Sequence, residues 1–162
     1  MANGVSLNWG GFDKVMAGAV KKMVNKKLLM ATIGETLVSG TIKRFADEED
    51  PQGQKWKKSR RAAEEGGQTL TETARLRKSI DYAATPDKVM VGSNVTYARI
   101  HQFGGTIKPK KGKFLKFNGK DGNPVFVKEV NMPARPYIGI STADMKEVRA
   151  TIAEFLSGAF KP

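Results

Sequence analysis

One histidine stands in this chain, His101, inside the run Tyr97-Ala98-Arg99-Ile100-His101-Gln102-Phe103-Gly104-Gly105. An imidazole titrates near neutral pH, so such a residue is the first place to look for acid–base catalysis. Catalysis needs company, and the spacing supplies none. No HExxH pattern offers a second imidazole, and one histidine in a chain without cysteine does not build the usual zinc site. The nucleophile elbow G-x-S-x-G, the phosphate loop G-x-x-x-x-G-K-[ST] and the dinucleotide fingerprint G-x-G-x-x-G are all missing. The acids gather in Asp47-Glu48-Glu49-Asp50 and Glu64-Glu65, which read as solvated loop charge. Catalytic residues, cofactors and metal ligands are therefore not expected. The same run sets aromatic and aliphatic side chains against a Gly-Gly break, the composition of a structural corner. There, His101 and Gln102 are expected to hydrogen-bond backbone groups that the ending helical turn leaves unpaired.

The elements that position this run begin with a helical period over residues 13–45. Met16, Val20, Met23, Val24, Met30, Ala31, Leu37, Val38, Ile42 and Phe45 share one face of it. At about 1.5 Å per residue such a helix reaches roughly 50 Å, more than a small domain covers. It should break near Gly34 or Gly40 or project beyond its core. Leu28, Leu29 and Ile33 lie off the stripe, as a second contact between subunits or as burial in a thick core. Residues 1–12 show no period and read as a loose N-terminal arm.

Pro51 and Gly53 stop the helix, and residues 62–68 are poor enough in apolar side chains to read as a mobile connector. Residues 69–80 suggest a short helix with Leu76 and Ile80 one turn apart and Leu70 at its entry. Strand patterns on either side of Thr85-Pro86-Asp87 predict a hairpin, with Val89 and Val91 alternating against Met90. A second hairpin is predicted around Asn118-Gly119 and Asp121-Gly122, from residues 113–117 to residues 124–130. Pro133 and Pro136 keep residues 132–140 extended. Ser141 with Asp144 begins a closing helix whose inner face is Met145, Val148, Ile152, Phe155 and Leu156. The reading is α+β: a long N-terminal amphipathic helix and a C-terminal helix packed on a small, mainly antiparallel β-sheet with a projecting hairpin. Residues 1–162 form one domain.

Twenty-eight Lys and Arg against sixteen Asp and Glu give a formal charge of +12. Such an excess points to nucleic acid, an anionic membrane or acidic protein surfaces. No apolar run is long enough for a membrane span and no N-terminal signal region is read, so a membrane partner is not expected. The absence of cysteine fits a reducing compartment such as a bacterial cytoplasm. Two basic groups are candidate contacts to DNA or to acidic partners: Lys55, Lys57, Lys58, Arg60 and Arg61, and Lys108, Lys110, Lys111 and Lys113. Trp56, set in the first group, either stacks on a base or anchors a loop on the core, and the second reading is favoured. Arg135, held between prolines, is a candidate for a fixed ion pair or subunit contact, against a solvated side chain.

Four segments resemble, in order, the phage virion morphogenesis family. Arg44-Phe45 with Pro51-Gln52-Gly53-Gln54-Lys55-Trp56 is similar to its "RF…PdGxxW" region. Leu70 to Ile80 is similar to "LxxTGxLxxSI", with Thr73, Leu76, Ser79 and Ile80 in place and Ala74 where the family has glycine. The run from Tyr97 through His101, Gln102, Phe103, Gly104 and Gly105 resembles "YAxIHQFGG". Met132-Pro133-Ala134-Arg135-Pro136-Tyr137-Ile138-Gly139 resembles "MPARPFLG". The resemblance spans residues 37–156.

What the resemblance implies is a non-enzymatic protein of the virion, assembled in the bacterial host cytoplasm. It would act at the head–tail junction of a tailed phage or prophage, completing the tail or neck. Related proteins form homo-oligomeric rings, often hexameric, so the implied partners are further copies, the tail tube or terminator and the head connector. A ring at the neck lies on the path of DNA, which suggests transient, salt-sensitive and non-specific phosphate contacts. A basic nucleic-acid-binding module is the alternative.

Overall fold

The computed structural model describes residues 5–6, 26–119 and 121–158. Helix α1 (Lys26–Asp47) lies across a hairpin of β2 (Ile80–Thr85) and β3 (Lys88–Ser93), and α5 (Thr142–Gly158) packs on α1. The hairpin turns at Pro86-Asp87, with Thr85 paired to Lys88 and Ile80 to Ser93. Ile80, Val89 and Val91 are buried while Met90 is exposed, as alternation demands. The fold is α+β, as the sequence indicates. Among the described residues the strands form three small antiparallel sheets: β1 (Val5–Ser6), β3 and β2 in that order, β4 (Gly105–Ile107) with β7 (Val130–Met132), and β5 (Leu115–Asn118) with β6 (Pro124–Val127).

The buried stripe of α1 is Leu29, Ile33, Gly34, Leu37, Thr41, Arg44 and Phe45. This corrects the expected face. Leu29 and Ile33 are core residues, the burial alternative for them, whereas Leu28 and Ile42, the latter expected on the inner face, are exposed. Hydrophobicity counting missed the phase because two polar residues sit on the inner face. Thr41 hides its hydroxyl by donating to the Leu37 carbonyl at 2.8 Å, and Arg44 is ion-paired with Asp144. The helix also runs unbroken through both glycines. At Gly34 a Cβ would fall into the Tyr82 ring of β2, and at Gly40 onto the Asp144 carboxylate. These glycines mark close approach, not a break. The part of the predicted helix over residues 13–25 lies outside the described residues.

Strand β1 (Val5–Ser6) pairs with β3, Val5 opposite Val91 and Ser6 opposite Met90. At these two positions the expected loose arm is a sheet edge, and the remainder of residues 1–12 lies outside the described residues. Helix α2 (Arg60–Glu64) is capped by Ser59, whose Oγ accepts from Ala62 N at 3.2 Å, and Ala62 is buried. The segment expected to be a connector therefore begins as a packed helical turn. Helix α3 is the single turn Arg75–Lys78, shorter than predicted, and Ile80 already belongs to β2. Leu76 and Ile80 are both buried, but from different elements. Ala74 holds the left-handed conformation, φ 54° and ψ 7°, so the turn keeps the backbone form that suits glycine.

Helix α4 (Ala98–Phe103) ends at Gly104 and leads into β4 (Gly105–Ile107), which pairs with β7 (Val130–Met132). Between them, β5 (Leu115–Asn118) and β6 (Pro124–Val127) form the second hairpin, paired among the described residues only with each other. Ser141 and Asp144 form the expected capping box at α5: Asp144 N donates to Ser141 Oγ at 3.0 Å and Ser141 N to Asp144 Oδ2 at 2.7 Å.

Candidate functional site

The motif-bearing segments converge on one buried junction. It starts with a turn. Gly53 N donates to the Asp50 carbonyl at 3.0 Å, while Asp50 Oδ1 accepts from Gln52 N and Gln54 N at 2.9 Å each. Proline second and glycine fourth in such a turn are what its geometry favours. The acids here build the turn: Glu48 Oε1 likewise accepts from Thr69 N at 2.6 Å. That corrects the reading of Asp47-Glu48-Glu49-Asp50 as merely solvated charge.

The turn returns the chain antiparallel to itself and delivers Trp56 inward. Trp56 meets Phe45 edge-on at 5.6 Å between centroids and donates its indole N–H to the Pro136 carbonyl at 2.9 Å. Phe45 in turn packs against Tyr137 at 5.0 Å. Trp56 is thus an anchor, as favoured from the sequence. Pro51 closes the contact from the other side, since a Cβ on Gly139 would come within 2.5 Å of Pro51 Cγ.

From α4, Gln102 binds the segment that follows β7. Its Oε1 accepts from Tyr137 N and Ile138 N at 3.0 Å each, and its Nε2 donates to the Ile138 carbonyl at 2.8 Å. An extended segment without a neighbouring strand would otherwise bury unpaired amides, and one carboxamide has the donor and acceptor set to satisfy three of them. The phenol of Tyr137 donates to the Ala98 carbonyl at 2.9 Å, and burial pushes its pKa up to about 12. Gly104 makes the approach feasible. Its φ is 69°, and a Cβ there would lie 2.7 Å from Ala134 N and 2.9 Å from the Met132 carbonyl. Gly105 also has positive φ, 138°.

Arg135 is buried, donating its Nε–H to the Lys57 carbonyl at 2.7 Å and its backbone N–H to the His101 carbonyl at 2.7 Å. Among the described residues no carboxylate lies within ion-pair distance of it. It is neither a fixed ion pair nor a solvated side chain, and burial lowers its pKa. The ion pair belongs instead to Arg44 and Asp144, which the sequence reading missed as a pair. Arg44 also donates to the Tyr137 carbonyl at 3.1 Å, and burial lowers its pKa against the opposing pull of Glu49 and Asp50. The only sequence signal was a cation placed in register with Leu37, Thr41 and Phe45.

His101 behaves differently from Gln102. Its ring stands edge-on to Tyr97 at 5.8 Å, and Nδ1 is buried with no hydrogen-bond partner. The expectation that its side chain pairs with backbone is corrected: only its carbonyl does. Burial, reinforced by the charge of Arg135, lowers its pKa. It borders an open groove of about 240 Å³ with Ser59, Arg61, Glu72 and Thr73, where the polar groups are already engaged. Ser59 caps α2, and Arg61 pairs with Glu72 and donates to the Gln68 carbonyl. Among the described residues no cluster of three His, Cys, Asp or Glu side chains fits a metal ion, and no helix is long and apolar enough to cross a membrane.

The two basic groups are placed apart from this bonding. Lys57 and Lys58 are exposed, while Lys55 pairs with Glu49, Arg60 with Glu64 and Arg61 with Glu72. Lys108, Lys110, Lys111 and Lys113 are exposed, and Lys108 pairs with Glu129 at 3.4 Å. Phe103 is 66% exposed, and Tyr97 and Arg99 of the same motif are exposed too. Pro133 is half-buried beside Gly104's contact with Ala134.

A comparison with protein families matches the model of the phage virion morphogenesis family to residues 7–157. No curated protein and no solved structure gives a significant match.

Proposed function

Because the chain belongs to the phage virion morphogenesis family, a family of virion assembly proteins, we propose that it completes the tail at the neck of a tailed phage or prophage particle. In this reading identical subunits close into a ring at the head–tail junction, on the tail tube or terminator and below the head connector. Head-to-tail contacts between unlike faces close into rings, which suits a subunit with different surfaces on its helical and hairpin sides. The observation that carries the reading is where the family signature goes. Trp56, Gln102, Gly104, Arg135, Pro136 and Gly139 are all committed to holding one rigid junction. A signature spent on shape fits a building block. Cryo-electron microscopy of particles made without this protein, with the mass of the purified protein alone and with tail tube protein, tests it. Fully joined, infectious particles, or a protein monomeric in both states, would overturn it.

Contact with DNA is a second reading, favoured by the exposed Lys110, Lys111 and Lys113. Any such contact is weak and without base specificity, and its affinity falls steeply with salt.

A further inference from the structure

The hairpin of β5 and β6 has two unlike faces. Residues directly opposite one another in an antiparallel pair project to the same side. The register therefore puts Leu115 with Val127 and Phe117 with Val125 on one face, and Lys116 with Phe126 on the other. On that second face the Lys116 ammonium lies 5.8 Å from the Phe126 ring centroid. The first face is apolar throughout. Phe117 is 45% exposed, Leu115, Val125 and Val127 are half-buried, and none of the four belongs to the core cluster or packs against it. A lone two-stranded hairpin is marginal in water, and an incompletely covered apolar face on it is a liability.

Charge narrows what can cover it. Residues 108–129 carry seven lysines against two acids, Asp121 and Glu129. A second copy of the chain is itself at +12, and the acids that gather at residues 47–50 are mostly engaged within the subunit, Glu48 by Thr69 N. Glu49 is held by Lys55, Glu72 by Arg61, and Asp50 by its own turn. DNA answers the lysines but not the aliphatic face. Phe117 alone on this face offers a ring for a base to stack on; Leu115, Val125 and Val127 offer none, and phosphates gain nothing from them. Both features are met by one kind of occupant.

We propose that the β5–β6 hairpin is a docking arm for an acidic protein partner, a chain different from this one, with an apolar centre ringed by carboxylates. The proposal rests on the assembly reading, under which the partner is the particle's own tail tube or connector protein. The apolar face supplies affinity, and the lysines supply orientation and association rate.

The test is titration of the purified full chain against the tail tube and connector proteins encoded in the same phage genome. A short DNA duplex serves as a separate probe, and light scattering follows self-association. Two variants are compared: Phe117→Ser with Val125→Thr, and Lys111→Glu with Lys113→Glu. One acidic co-encoded protein should bind, and each variant should weaken it by roughly tenfold or more at an unchanged melting midpoint. Reversing carboxylates on that partner should restore binding to the lysine variant. The proposal is overturned if the Phe117/Val125 variant loses ring mass, which would put a second copy on the face. It is equally overturned if that variant binds every protein normally, if only the duplex binds, or if its midpoint falls because the face is buried within the subunit. Failure here leaves the assembly reading standing whenever particles lacking the protein remain unjoined.

Discussion

Asp144 at the start of α5 is ion-paired with Arg44 near the end of α1, each side chain 6% exposed, and its carboxylate occupies the place a Cβ on Gly40 would take. Removing one member of a buried pair strands the other charge. Asp144→Ala is therefore expected to lower the unfolding free energy by about 3–5 kcal/mol. The double replacement Arg44→Met with Asp144→Ala removes both charges and should cost less than the single change. Urea denaturation measures the two, and a double variant less stable than Asp144→Ala would refute the account.

Gln102 satisfies Tyr137 N, Ile138 N and the Ile138 carbonyl with one carboxamide. Gln102→Ala leaves all three unpaired, at an expected cost of about 2–4 kcal/mol. Hydrogen exchange should show the Tyr137 and Ile138 amides losing protection first. If those amides stay protected, another group bonds them.

Two glycines with similar φ should respond very differently. Gly104 has φ 69° and backbone atoms within 3 Å of a built Cβ, while Gly53 has φ 81° and open space around it. Gly53→Ala should cost about 1 kcal/mol from conformation alone. Gly104→Ala adds a clash with Ala134 N and should prevent soluble expression or lower the melting midpoint far more. Equal effects would mean the corner can shift.

The lowered pKa of His101, caused first by burial and then by Arg135, sets a pH dependence. The unfolded chain takes up the proton near the ordinary value of 6.5 while the folded chain still resists it. Stability is thus complete above that pH and declines as pH falls through it toward the folded pKa. Between about pH 7.5 and 5.5 the melting midpoint should fall more for the natural protein than for His101→Gln. Parallel profiles would show that His101 protonates freely when folded.

Ala74 keeps a left-handed turn at φ 54°. Ala74→Gly relieves that conformation and should raise stability by about 1 kcal/mol, read as a shift in denaturant midpoint at constant slope. No gain would place the strain elsewhere in the turn.

The sequence was most legible where local chemistry decides the structure. Pro86-Asp87, the Asn-Gly and Asp-Gly loop, and Ser141 with Asp144 each act within a few residues, and both hairpins and the α5 cap follow from them. The phase of α1 was not legible, because Thr41 and Arg44 face inward only by virtue of groups elsewhere in space. The same holds for Gly34 and Gly40, whose partners Tyr82 and Asp144 lie on other elements. At the junction, spacing alone could not say that Gln102 would serve the Tyr137 backbone or that His101 Nδ1 would be left unpaired.

The Arg44–Asp144 separation of 100 residues also carries a timing. At a synthesis rate of about 5–20 residues per second, the cation emerges roughly 5–20 s before its carboxylate exists. During that interval Phe45 lacks Tyr137, and α1 lacks the helix that covers it. The nascent chain thus waits with an apolar stripe open, and folding closes only as the last fifth of the polypeptide arrives. A chain cut short before α5 lacks both the carboxylate that pairs with Arg44 and the helix that covers α1.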